Sequence, residues 1–442
     1  MIVALLLAAA PLTLGEVRQA ARQNLDAVRA ELAVSRAALD RADARSVLFP
    51  QVDLSLGVTQ TLGGPQRRFT TAPQFASDGT VTFVQRPVDI PAFTQGNFQL
   101  GLTVAQLLYD GGRWWNQLAR TGALEEAAQG QLAEQQASSE LEAVRRFYEV
   151  LRAQLTLKVL ENAAARSADL LERSRSLFTA GRAQKRDLLD AEVNLGNDRI
   201  AVIRQRQAII AAEASLFQWL GQPPRDVVAQ RPAEFEAPLL PGAQDAGALL
   251  TLARKRRPLF AVLDAQGKGG KLAVEIARAD YLPRVSANAS YNRTAPTAEL
   301  FVDPARQHLF NVGVNLSWDL FSGFATDTQV ARAQTQLTEL ERQQRQATIE
   351  LESEIVRATS AMAAQREIAA LAAKNRALAD ESFDAEAQRY AAGASTSLSV
   401  RDAQTRAVLA ELSQLQTRVD VEIASAALER LTGGPVAAAE TP

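Results

Sequence analysis

Reactive side chains are scarce in this chain, and that narrows its chemistry before any fold is considered. It has no cysteine and one histidine, His308. Thiol nucleophiles, disulfides and cysteine-based metal sites are therefore absent, as is a cysteine that could carry lipid at a mature N-terminus. A Ser-His-Asp relay would have to use His308, which falls in a segment between strands with no suggested partner. Gly111-Gly112 is followed by Arg113, not by the GK[ST] of a phosphate-binding loop. The carboxylates Glu125-Glu126, and Glu350 with Glu354, lie in long helical sequence, where solvated or i,i+4-paired faces account for them. Net charge is −2, so nothing points to nucleic acid or an anionic surface. Neither an enzyme nor a bound cofactor is expected.

Two short clusters remain. Gly181-Arg182-Ala183-Gln184-Lys185-Arg186-Asp187-Leu188-Leu189-Asp190 gathers three basic and two acidic residues in one turn. Gly393-Ala394-Ser395-Thr396-Ser397-Leu398-Ser399-Val400-Arg401-Asp402 gathers hydroxyls, with Tyr390 just before it. Each follows a very long helical run, after Ala180 and after Ala392. In such a place Ser, Thr and Asp act as N-caps of a following helix, and glycine suits the left-handed position that ends the preceding one.

The elements that carry these turns are long. Arg113 to Ala180 holds no proline and two glycines, and Ala325 to Ala392 holds neither. Each run would extend roughly 100 Å as an α-helix. In the second, Val330, Ala333, Leu337, Leu340, Ala347, Leu351, Ile355, Ala358 and Met362 recur at threes and fours, as a coiled-coil seam does. Much of that seam is alanine, which lets helices approach closely.

Four other segments alternate apolar and polar residues: 52–59, 98–104, 285–292 and 310–318. In a strand these alternate between faces. Leu54, Leu56, Leu100, Leu102, Val312 and Val314 fall on one face; Asp53, Ser55, Thr103, Asn288, Asn311 and Asn315 fall on the other. This is the dyad pattern of a membrane β-barrel with lipid outside and water inside, and a half-buried sheet in a soluble protein alternates in the same way. Trp318, Tyr291 and Phe98 suit interfacial girdles. No later run is long enough to span a bilayer as a helix. Residues 1–10 read as the remnant of a secretory signal, an apolar run ending in small residues without a basic start.

The chain is also duplicated. Pro50 and Val52 recur as Pro283 and Val285; Gly101, Leu108, Gly111, Gly181, Asp190, Gly221 and Pro223 recur 212 positions later as Gly313, Leu320, Gly323, Gly393, Asp402, Gly433 and Pro435. The expected domains are a first repeat over 11–223, a linker over 224–245, a second repeat over 246–435 and a flexible tail over 436–442. Each repeat reads as leading helix (14–47 or 246–280), strand, loop, strand, long helix, turn and return helix. The first inter-strand segment, about Gln60 to Gly96, is the longer and reads as a loop.

In that order, Ala44-Arg45, Leu48-Phe49-Pro50, Leu108-Tyr109-Asp110-Gly111-Gly112, Phe178-Thr179-Ala180-Gly181, Trp318-Asp319-Leu320-Phe321-Ser322-Gly323 and Tyr390-Ala391-Ala392-Gly393 resemble the TolC family of outer membrane efflux proteins, over nearly the whole chain. The resemblance implies an α+β membrane protein: a long α-helical barrel in the periplasm and a small β-barrel in the outer membrane, to which each copy gives four strands. It implies a homotrimer acting as a passive exit duct, with a periplasmic adaptor and an inner-membrane pump as partners. It also implies that the two turns form the periplasmic entrance. Asp187 and Tyr390 match positions of a bond that closes it; Asp190, Asp402, Arg186 and Arg401 accompany them. Ser399 departs from the family's acidic position. Gly181 and Gly393, with Ala180 and Ala392, are expected to dock the adaptor. The alternative is a structural coiled-coil envelope protein without a channel. Drug, metal ion and secreted protein remain open as cargo.

Overall fold

The structure, a computed structural model, describes residues 10–77, 79–236, 245–297, 308–392 and 394–434. The signal-like residues 1–9, Asp78, the linker residues 237–244, residues 298–307, Gly393, Pro435 and the tail over 436–442 lie outside the described residues.

In the first repeat, β1 (Ala10–Leu12), α1 (Leu14–Ala21) and α2 (Leu25–Ser46) precede β2 (Gln51–Gly63), β3 (Gln66–Phe75), β4 (Val81–Ile90) and β5 (Phe93–Tyr109). Then come α3 (Arg113–Thr179) and α4 (Lys185–Trp219). A connecting stretch holds β6 (Val227–Ala229) and α5 (Ala233–Glu236). The second repeat has α6 (Ala246–Arg256), α7 (Pro258–Arg278), β7 (Arg284–Ala295), β8 (His308–Ser317), α8 (Ala325–Ala391) and α9 (Ser397–Thr432). The long helices α3 and α8 both have 67 residues and start 212 positions apart.

Three expectations need correcting. Residues 60–96 are not a loop: β2 runs on to Gly63, β5 begins at Phe93, and β3 and β4 pair as a hairpin between them. His308 is the first residue of β8, opposite Arg293, and not a loop residue. Each leading helix is broken in two. Asn24 ends the first break, its side chain accepting from the Ala27 amide at 2.9 Å. At the matching position 233 residues on, Arg257 precedes Pro258, which opens α7 where no amide donor is needed. In the connecting stretch, β6 pairs in parallel with β1.

The chain forms two compact units. The first comprises the described residues of 1–37, 123–268 and 338–442. Its largest core packs Phe147, Leu151, Leu216, Phe217 and Val17 around Val419. A second core joins Leu249, Leu351, Ile355 and Leu428. The seam read from the sequence is buried at Ala333, Leu351, Ile355 and Met362. At the break before Pro258, the buried Arg257 donates to Glu134 at 3.0 Å, and Arg430 reaches the same oxygen at 3.2 Å.

The second unit comprises 38–122 and 269–337. It holds a four-stranded antiparallel sheet in the order β2-β5-β7-β8. At its helix end the strands return through paired left-handed residues. Gly111 and Gly112 have φ of 71° and 83°; their counterparts Gly323 and Phe324 have 62° and 64°. A phenylalanine is strained in that region, where glycine is not. Gly111 is fixed a second way: a Cβ there would stand 2.8 Å from the Ala279 carbonyl oxygen.

Candidate functional site

The sheet's register decides how its side chains are shared between two faces. Val52, Leu54 and Leu56 stand opposite Val104, Leu102 and Leu100. Leu102 and Val104 stand opposite Tyr291 and Ala289, which stand opposite Phe310 and Val312. Directly opposed residues lie on one face, so the four apolar sets merge into one surface. Arg293 and His308 interrupt it in the row of Leu56 and Leu100, and Val58, Phe98 and Ala295 continue it in the next row away from the helices. Leu54, Val312 and Val314 are each 70% exposed in the single chain. The opposite face carries Asp53, Ser55, Thr103, Ser290, Asn288, Asn292, Asn311 and Asn315. Gly101 sits there between Ser55 and Asn292, whose oxygens would lie 2.7 and 3.1 Å from a Cβ. Among the described residues, both outer strands, β2 and β8, have an edge with no neighbour in the sheet.

The turns lie in the helical unit. After α3, Arg182 and Gly181 amides donate back to the Leu177 and Phe178 carbonyls at 2.8 and 2.9 Å, with Gly181 at φ 71°. This closes the helix end. The Ala394 amide makes the equivalent bond to Arg389 at 2.8 Å. On the far side, Asp187 accepts from the Gln184 amide at 3.2 Å and Thr396 accepts from the Ser399 amide at 3.2 Å. Both return helices are therefore capped as their sequences suggest.

Within one chain Tyr390 and Asp187 do not bond each other. The buried Tyr390 hydroxyl lies 3.3 Å from the Ser174 hydroxyl of α3. The other oxygen of Asp187 accepts from Ser397 at 3.4 Å, so one carboxylate links the two turns. Arg401 is turned inward. It donates to both oxygens of Asp198 at 2.7 and 2.9 Å and to the Ser167 hydroxyl at 3.1 Å. The buried Gln404 adds a bond to Ser167 at 2.9 Å. Asp190 and Asp402 are exposed, each beside an arginine of its own helix: Arg186 at 3.6 Å and Arg406 at 2.6 Å. Leu170, Ser174, Asp190, Tyr390, Leu398 and Arg401 border a cavity of about 290 Å³ beside the turns. Ser167, Ser174, Asp198, Ser397 and Arg406 were not singled out from sequence. Only Arg406, four residues after Asp402, carries a spacing signal.

Residues 17–222 and 249–434 match the family described as outer membrane efflux protein. The chain belongs to that family. Outer membrane efflux protein BepC of Brucella suis biovar 1 (strain 1330) is 25% identical over 345 residues, 76% of this chain and 72% of that protein. Among solved structures, the outer-membrane channel OprN aligns over 95% of this chain and 90% of its own, at 22% identity and a TM-score of 0.73. The open state of the Neisseria gonorrhoeae MtrE outer membrane channel aligns over 95% and 89%, at 15% identity and a TM-score of 0.75. The fold is that of the duplicated α+β outer-membrane channels, and the protein is an efflux-family component of the cell outer membrane. Among the described residues no helix is long and apolar enough to cross a membrane.

Proposed function

We propose that three copies of this chain form the passive exit duct of a tripartite efflux pump or type I secretion system. The observation that carries this is the sheet: one mainly apolar face, one polar face and two free edges. Free edges cannot face lipid, because their amides and carbonyls would go unpaired. Neighbours in the sheet are all antiparallel, so β8 of one copy meets β2 of the next antiparallel as well. Three copies then close a barrel of twelve strands, within the range of outer-membrane barrels. Leu54, Leu56, Leu100, Leu102, Val312 and Val314 face lipid in that barrel, and the Asp53–Asn315 face lines water.

The partners are a periplasmic adaptor and an inner-membrane pump. The adaptor docks at Gly181 and Ala180 and at the matching Ala392 and Gly393. Asp187, Tyr390, Asp190, Asp402, Arg186 and Arg401 form the gate, each through the bonds given above. MtrE has been crystallised in an open state, and opening here follows adaptor binding to the open form in preference to the closed one. Purification decides between a duct and a structural coiled coil. A duct needs detergent, runs as a trimer before boiling and conducts ions in a planar bilayer. A detergent-free extended dimer without conductance would sink the reading.

A further inference from the structure

The two helical turns hold matching places in the repeat but differ in charge. Five cations stand in the last turns of α3 and the start of α4: Arg173, Arg175, Arg182, Lys185 and Arg186. At the matching positions 212 residues on stand Ala385, Ala387, Ala394, Ser397 and Leu398. All five cations are exposed. Among the described residues, the side chains of Arg173, Arg175, Arg182 and Lys185 make no hydrogen bond or ion pair. Arg186 reaches Asp190 at 3.6 Å. Asp187 is already engaged, by the Gln184 amide and the Ser397 hydroxyl.

Local structure does not account for all of these cations. Arg173 and Arg175, near the C-terminal end of α3, suit its dipole. Lys185 and Arg186 do not: they open α4, where the helix dipole is positive and disfavours cations. The second repeat avoids this cost, since α9 opens with Ser397 and Leu398. Like charges left unpaired near one helix end also repel one another. A feature that breaks a local rule in one repeat and not in its copy indicates a use outside the fold. Charge complementarity makes that use the docking of an acidic segment, because exposed cations steer and orient a partner of opposite charge. A lipid headgroup is the wrong occupant, since the proposed duct puts this turn at the periplasmic entrance.

We propose that the first turn, and not the second, reads charge: an acidic segment of the periplasmic adaptor docks across Arg175, Arg182 and Lys185. The second turn offers no free cation among its described residues and presents Leu398, 77% exposed. In a trimer the electrostatic contacts are then three, although the turns themselves number six. The inference rests on the adaptor docking proposed above, and the test separates the two.

Phe178 is exposed and lies in sequence between Arg175 and Arg182. A photoreactive benzoylphenylalanine in its place keeps the ring and reports what touches the turn. In cells carrying the full-length chain, irradiation is expected to join it to a stretch rich in Asp and Glu in another periplasmic chain, mapped by mass spectrometry of the adduct. Arg175→Glu with Arg182→Glu and Lys185→Glu should abolish the adduct, while unboiled gels still show the trimer. Arg175→Gln with Arg182→Gln and Lys185→Gln adds no repulsion and should weaken the adduct; it serves as the test where the glutamate variant does not assemble. Changing the acids of the joined stretch to lysine should restore the adduct of the glutamate variant. With the trimer intact, an adduct on a neutral or basic stretch of another chain, or one undiminished by the variants, overturns the charge reading alone. An intact trimer that gives no adduct, or only an adduct with a second copy of this chain, overturns adaptor docking at this turn as well. Absence of any trimer overturns the duct and the charge reading together.

Discussion

Arg401 of α9 holds both carboxylate oxygens of Asp198 of α4, at 2.7 and 2.9 Å, and Ser167 of α3 bonds to the same pair. The two return helices are thereby tied to each other and to one long helix, a short way in from the turns. Side-chain exposures of 25 and 16% put the pair largely out of water, where a bond to a charged group contributes about 1.5–3 kcal/mol.

In the proposed duct, this link would couple the two return helices next to the turns. Arg401→Met leaves Asp198 charged and poorly paired, and should cost about 2–3 kcal/mol, read as a lower thermal midpoint of the helical signal with increased leak current. Arg401→Lys should not restore it, since one ammonium cannot serve two oxygens in the planar fork. A midpoint unchanged in Arg401→Met would show the pair to be idle.

How far such a cluster could be read in advance depends on its spacing. The helix lengths, the turns and the strand faces follow from local periodicity and from the repeat, because α3 and α8 are equal to the residue. Arg401 drew attention only as a basic residue near a turn; its partner is 203 positions away, and no local rule connects them. The gate pair shows the same limit. Family position pairs Tyr390 with Asp187, whereas packing within one chain gives Tyr390 to Ser174 and Asp187 to Ser397. Pro258 did carry a signal, since proline opens helices as readily as it breaks them. In the β3–β4 hairpin, Pro65, Pro73, Pro87 and Pro91 masked alternation that Phe69, Phe75, Phe83 and Val81 otherwise display.

The sheet faces give a direct contrast. Leu102 and Thr103 are neighbours on β5 but lie on opposite faces. Leu102→Arg should block insertion or trimer assembly, because arginine on the lipid face costs about 2–4 kcal/mol near the midplane. Thr103→Arg should assemble and change conductance. Unboiled gels of outer-membrane fractions check this, and equal assembly of both variants would reverse the face assignment.

Glu213 is buried on α4, accepting from Gln154 at 3.2 Å. Burial pushes its carboxyl above the usual range, and the bonds from Val227 and Gln154 oppose that only in part. A raised carboxyl pKa means the folded form holds its proton more tightly than the unfolded chain. The contribution to stability is full below the unfolded value and is lost as pH rises through the folded one. Glu213→Gln removes the charge and should therefore raise the thermal midpoint at pH 7.5, with a smaller change at pH 4. A midpoint that falls equally at both pH values would show that its carboxylate bonds, not its desolvation, dominate.

Under the proposed gating, Tyr390 and Asp187 would do separate work, because their bonds differ. The Tyr390 hydroxyl fastens the end of α8 to α3 through Ser174, in a buried contact. Asp187 caps α4 and reaches Ser397 at the start of α9. Neither bond is strong: a neutral hydroxyl pair contributes about 1 kcal/mol, and one to a carboxylate about 1.5–3. In the proposed trimer, three copies of each would favour a closed state that adaptor binding could still reverse. Because the bonds are on different helices, Tyr390→Phe and Asp187→Ala should each raise single-channel conductance modestly, and the double variant more than either. Ser397→Ala should reproduce part of the Asp187→Ala effect, since it removes the inter-turn bond but leaves the cap. Asp402→Asn should reduce cation preference only slightly, because Arg406 stands 2.6 Å from that carboxylate and offsets its field. Conductance in the double variant equal to that of the unaltered channel would place the constriction elsewhere and leave these residues as turn-forming groups alone.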